Sequence, residues 1–252
     1  KGYVVITKLQ GEYIEYYVTG EVKSKGNYVD GLRQGESINY YESGAIKSVE
    51  NYVDGKEQGE WFTYYESGAI KNKTNYVDGK QQGEYIWYFF SGGVQSKHNY
   101  VDGRRHGEWF WYYESGEVNE KLNYVDGKEQ GEYLRYYESG GVKSKDNYVD
   151  GRRHGEYIEY YESGAINQKA NYVDGKTQGE YIRYYESGAV EEIKSEGGNP
   201  LGEVIRYYES GAIQFKGNYV DGKEQGEYFE YYESGAVKSK VNRVANGRSQ
   251  GE

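Results

Sequence analysis

The chain has 252 residues, a formal net charge of -10, no cysteine and no methionine, but 34 tyrosines and 37 glycines. Disulfides and thiol chemistry are thereby excluded, and the acidic balance disfavours nucleic acid or an anionic bilayer as principal partner. A mean hydropathy of -1.05 would suit a disordered chain, yet such chains are poor in the aromatics that here make up 17% of the sequence, so ordered β structure is expected.

Residues 1–10 read as a partial repeat, with Tyr3-Val4-Val5-Ile6 as an edge strand. From Gly11 a Gly-Glu pair returns at positions 35, 59, 83, 107, 131, 155, 179, 202, 226 and 251, a 24-residue period with two faults. A period of this size marks one supersecondary unit stacked on copies of itself. In the third unit Glu60–Tyr65 reads as a first strand, Glu66-Ser67-Gly68 as a three-residue hairpin loop, and Ala69–Val77 as a second strand. Asp78-Gly79 then opens the turn into the next unit. No helical-length stretch lacks glycine, and tyrosine and β-branched residues fill the segments between turns.

Short connections predict strands that pair in sequence order. The expected fold is all-β, an elongated, twisted, single-layer antiparallel meander of about ten 24-residue hairpin repeats, continuous over residues 1–252. Counting across the loop places Tyr65 opposite Ala69, Tyr64 opposite Ile70 and Phe62 opposite Asn72. Phe62, Tyr64, Ile70 and Tyr76 then share one face, and Trp61, Thr63, Tyr65, Lys71, Lys73 and Val77 the other. The glycine of each Gly-Glu pair reads as a point where a ring crosses close over backbone.

Two faults interrupt the period. Residues 193–201, which include the lone Pro200, form an irregular junction that reads as a local repair or a hinge. Residues 241–252 form an atypical, truncated last repeat. The absence of an initiator methionine points to a processed product or a fragment. Exposed ribbon ends would invite edge pairing between copies.

Departures from the repeat carry the functional signal. The middle slot of the first strand is polar in Glu15, Asn39, Thr63, Arg135, Glu159 and Arg183, but becomes Trp87 and Trp111 in two neighbouring units. Trp87, Phe89, Trp109, Trp111 and Tyr113 form a candidate partner-binding patch, with Arg104 and Arg105 placed to orient an acidic partner. The same tryptophans would also serve to fill a more twisted stretch of sheet, and a carbohydrate would stack on them as well. Catalytic chemistry is not expected. The recurring Glu and Asp ladders repeat at about 10 Å, too far apart for paired carboxylates or one shared metal. His98, His106 and His154 lack a third convergent ligand, and the Glu-Ser-Gly serines lack a base.

The array resembles the MORN repeats, and most closely their second variant, found in tandem in bacterial proteins. The resemblance rests on elements such as Gly26-Asn27-Tyr28-Val29-Asp30-Gly31-Leu32-Arg33-Gln34-Gly35 and Gly217-Asn218-Tyr219-Val220-Asp221-Gly222. The family's small residue is replaced at Glu50, Thr74, His98, Leu122 and Asp146. The resemblance implies scaffolding, self-association, peptide and protein binding, or lipid binding, often under an antitoxin-component label, with no inherited catalytic residue and no cofactor. It also implies a bacterial origin, with secreted, periplasmic and cytoplasmic settings all open. The expected function is a non-enzymatic scaffold binding a protein or peptide through an aromatic face. The alternative is a structural protein that pairs with itself.

Overall fold

The computed structural model describes residues 8–194, 202–220 and 223–243. The chain divides into two compact units, Lys1–Lys128 and Glu129–Glu252. The edge strand expected at Tyr3–Ile6, residues 195–201 of the irregular junction, and residues 244–252 of the last repeat lie outside the described residues. Within the described residues there is no helix, and every strand pairing is antiparallel.

The third repeat shows how the sequence builds the unit. Its first strand, Gly59–Tyr64, pairs along its length with the second, Ile70–Val77. The loop between them closes with Tyr65 N–H on the Ala69 carbonyl at 2.8 Å and Gly68 N–H on the Tyr65 carbonyl at 2.9 Å. Tyr65 therefore sits opposite Ala69 and Tyr64 opposite Ile70, as counting predicts. Asp78 holds φ at 49°, so Asp-Gly makes the left-handed two-residue turn that suits the strand twist. A short third strand, Lys80–Gln81, then pairs back on Tyr76–Val77, a feature hidden inside what reads as a loop.

One expectation fails, and a bulge is the reason. The register slips between Thr63 and Tyr64, so Thr63 lies opposite Asn72, and Phe62 opposite Lys73. An extra residue in the second strand exchanges faces on one side of the hairpin. Trp61, Thr63, Asn72, Thr74 and Tyr76 consequently share a face, whereas Phe62 sits with Lys73. The Gly-Glu glycines are also differently used. A Cβ on Gly83 would meet nothing within 4 Å, while its φ is +78°, so glycine is required there by backbone conformation alone.

The Trp61 face carries most of the buried apolar side chains, Ile86 on the other face being an exception. In the first unit Tyr52, Trp61 and Tyr76 pack in series, with ring centroids 5.4 and 4.7 Å apart, and Tyr100, Trp109 and Tyr124 repeat the arrangement at 5.5 and 4.7 Å. In the second unit Tyr157, Ala170, Val204 and Tyr228 are the buried apolar residues. There the strand Val190–Lys194 pairs with both Tyr181–Tyr184 and Gly202–Tyr207, so sheet pairing continues up to Lys194 at the start of the faulted segment. Its Glu192 is enclosed. Burial pushes the carboxyl up, but hydrogen bonds from Arg206 and Lys194, each 2.9 Å away, outweigh that and hold it below its usual value.

Successive repeats meet along a narrow seam. The second strand of one repeat pairs with the next first strand only at Lys73–Ile86 and Asn72–Trp87. Hydrogen bonds between equivalent slots supply the rest. Gly79 N–H donates to the Glu57 carbonyl at 2.9 Å, Asp78 N–H to Gln58 Oε1 at 3.0 Å, and the Tyr65 hydroxyl to the Tyr88 carbonyl at 2.8 Å. The tyrosine bond recurs from Tyr17, Tyr41, Tyr137, Tyr161, Tyr185 and Tyr208. Phe89 fills that slot without a hydroxyl. Phe89→Tyr is therefore expected to add a bond to the Tyr112 carbonyl and raise stability by about 0.5–1.5 kcal/mol, with Tyr65→Phe lowering it by a similar amount. Urea midpoints of the two variants check this.

Candidate functional site

The candidate site lies in the fourth and fifth repeats of the first unit. Its first strands are Gly83–Tyr88 and Gly107–Tyr112, and the second strand Val94–Val101 runs between them. Ser96 pairs with Trp87 on one side and Trp111 on the other. The two tryptophans therefore flank a small buried residue on one face, two strand spacings or about 10 Å apart. Both indoles are half-buried.

Beneath them is an aromatic cluster. His98 stacks on Trp109 with centroids 3.9 Å apart and planes 12° from parallel, and stands 5.2 Å from Trp111 and 6.1 Å from Tyr85. Trp109 is 3% exposed, and its Nε1 donates to the Asn99 carbonyl at 3.2 Å. Burial pulls the His98 imidazole down to about 4, with the Arg105 charge adding to the effect. Its Nε2 is buried without a hydrogen-bond partner. The residue keeps its proton off because nothing around it compensates a charge.

The residues singled out in the sequence separate into three groups. Trp87 and Trp111 are brought to one surface, as expected. Trp109 is enclosed and belongs to the core, so its indole cannot itself face a partner. Arg105 lies over the Trp109 ring at 4.7 Å and the Tyr124 ring at 5.2 Å, and donates to the Tyr124 hydroxyl at 3.1 Å. It covers the core rather than standing free. Arg104 pairs with Val101 one position along, which puts it on the opposite face from Arg105. Phe89 and Tyr113 open their hairpin loops, each half-buried, donating N–H to Gly93 and Glu117 carbonyls at 2.8 Å.

Phe90 stands outside that set, though the sequence carries its signal. It replaces the glutamate that starts most other loops, as in Glu42, Glu66 and Glu114, and it is 68% exposed. Its ring packs edge-on to Tyr65 at 5.3 Å, and Lys71 sits 5.7 Å from both Tyr65 and Trp87. Phe90 and Trp87 thus flank one Tyr-Lys pair. Among the described residues no group of His, Asp and Glu is placed to hold a metal ion, and no helix is long and apolar enough to cross a membrane.

The family described as MORN repeat variant matches residues 9–30, 33–54, 57–78, 81–102, 105–126, 129–150, 153–174, 200–221 and 224–244. No curated protein matches the chain. Among solved structures, TcdB2-TccC3 aligns over 92% of this chain and 16% of its own at 13% identity, with a TM-score of 0.21. The Photorhabdus luminescens Tc holotoxin pore aligns over 92% and 17% at 13% identity, with a TM-score of 0.19. This chain spans about one-sixth of the length of those chains.

Proposed function

The chain belongs to the MORN repeat variant family, whose repeats are non-catalytic protein- or membrane-binding scaffolds, and on that premise we propose that it is a non-enzymatic scaffold for a protein or peptide partner. The partner docks on the aromatic surface formed by Trp87, Trp111 and the exposed Phe90. One observation carries this reading: three large apolar side chains occupy slots that are polar in most other repeats. The scaffold stacks on Trp61 and Tyr76 without any tryptophan in the Trp87 slot, where Thr63 suffices. Aromatic residues that packing does not demand are the ones that dominate interface energies.

The test compares the intact chain with a Trp87→Thr, Trp111→Thr, Phe90→Glu variant, using affinity capture followed by a binding titration. Partner affinity is expected to fall at least tenfold while the mass from light scattering stays constant. If the variant instead loses an oligomer present in the parent, self-association replaces partner binding as the role of this surface.

A further inference from the structure

A second site lies in the first unit, over the second and third repeats. A hollow of about 470 Å³, within the size range of small-ligand sites, opens on the same face as Trp61. Its aromatic lining includes Trp61 and Tyr41, and its floor is polar, Asn39, Ser48, Thr63 and Asn72.

The floor contains one carboxylate, and that group is already satisfied. Glu50 Oε1 accepts from Asn39 Nδ2 and Ser48 Oγ, both at 2.9 Å, while Oε2 accepts from the Tyr52 hydroxyl at 2.9 Å. The Arg33 guanidinium stands 3.8 Å from Oε2 and balances its charge. Other groups are left over. Thr63 Oγ1 is buried with no hydrogen-bond partner, and Asn72 lies directly across the strand pair from it. Lys47 and Lys71 line the hollow with their ammoniums 5.8 and 5.7 Å from the Tyr41 and Tyr65 rings, and neither is ion-paired among the described residues. The equivalent lysine before them, Lys23, is already bonded to Glu15 at 2.8 Å. After them the slot becomes Gln95 and Asn119.

Two unbalanced cations beside a hydroxyl and a carboxamide, in a chain of net charge -10, point to an anionic guest. We propose that this hollow binds an acidic peptide segment in extended conformation. Lys47 and Lys71 occupy the same slot one repeat apart, about 10 Å between backbones. Alternate side chains of an extended strand leave on one side about 7 Å apart, and the flexible lysine stems close the difference. Glu-x-Glu is therefore the matching pattern, with the Thr63 hydroxyl and Asn72 amide donating to the segment and Trp61 packing against its intervening atoms. The inference rests on the scaffold reading only in taking the guest to be a peptide.

The test uses the whole chain and a fluorescein-labelled peptide of alternating glutamate and serine, followed by fluorescence polarisation at low ionic strength. Binding is expected, weakened at least tenfold by Lys47→Ala with Lys71→Ala or by glutamine in place of the peptide's glutamates. Lys143→Ala removes a lysine held over Tyr137 at 5.7 Å in the second unit, and it should leave affinity unchanged. No binding at millimolar peptide, equal weakening by Lys143→Ala, or equal affinity for the glutamine peptide overturns the proposal. So does an oligomer that the lysine substitutions dissolve, since the guest would then be a second copy. Lys71 also borders Trp87, so the two sites are separated at Lys47 and Trp111: Lys47→Ala is expected to weaken the peptide and spare partner capture, Trp111→Thr the reverse, and a Lys47→Ala variant that binds the peptide as tightly as the parent overturns this site but not the tryptophan surface.

Discussion

Replacing Trp109 by alanine is expected to lower the stability of the first unit by about 3–5 kcal/mol, the largest effect of any single substitution proposed for this chain. The indole is the hub of its neighbourhood. It stacks on His98, packs at 4.7 Å against Tyr124 and at 5.5 Å against Tyr100, lies under the Arg105 guanidinium, and donates to the Asn99 carbonyl. Alanine removes the ring and the donor together and leaves a void that the stiff sheet backbone closes only in part. Trp109→Tyr should cost far less, because Tyr85, Tyr133 and Tyr157 fill the same slot in other repeats. Urea denaturation followed by circular dichroism distinguishes the two. Because repeats interact chiefly with their neighbours, the alanine variant should also unfold in two steps, the first unit melting early. A loss below about 1 kcal/mol would show that Trp109 is not the hub its burial makes it.

Acidification is expected to weaken the fold through His98. The folded imidazole sits at about 4, below its ordinary value near 6.5, so the unfolded chain takes up the proton first. Stability from this residue is complete above about pH 6.5 and is lost progressively as the pH falls toward 4. Two and a half pH units would set a ceiling of about 3.4 kcal/mol, and partial solvent access reduces the expected loss to about 1–2 kcal/mol. His98→Thr places there the residue found at Thr74 and should remove this component. The comparison is needed because carboxylates titrate in the same window: Glu192, held low, also loses stability on acidification. Denaturant midpoints at pH 7 and pH 4.5 in the parent and in His98→Thr therefore report the difference due to His98. Identical pH slopes in the two proteins would remove the histidine from the account.

Much of this architecture can be read from the residues alone, and the failures have specific causes. Asp78-Gly79 and Glu66-Ser67-Gly68 announce their turns, because few residues tolerate a positive φ and the strands between them are too short to pair any other way. The face assignment is not legible, since the bulge beside Tyr64 leaves no mark in composition and yet moves Tyr76 to the Trp61 side. The same slip hides the depth of Trp109, which as a surface aromatic reads no differently from Trp111. At the site, Trp87 and Trp111 are visible because they break a polar slot. Phe90 breaks a mostly acidic one and is equally visible. His98 and the Lys47–Lys71 hollow depend on what the neighbouring repeat presents, which one strand read by itself does not contain. The substitutions at the small slot are resolved in the same way: His98 is accommodated against the flat of an indole, and Asp146 against the Arg153 guanidinium at 2.9 Å.

The narrow seam has a consequence for how such a chain changes length over generations. Several junctions within the first unit use the same set of partners, with Gln58 reaching Asp78 and Gln82 reaching Asp102 in the same way. Excising Gly59–Gln82 would set Gln58 against Asp102 and the Tyr41 hydroxyl against Tyr88, recreating bonds of a kind the molecule already makes. Cassettes that keep these glutamines and tyrosines are thus interchangeable, and recombination between misaligned copies can lengthen or shorten the array without inventing a new joint. What such an exchange cannot restore is a feature assembled from unlike neighbours, so the individuality of the chain resides in the order of its cassettes.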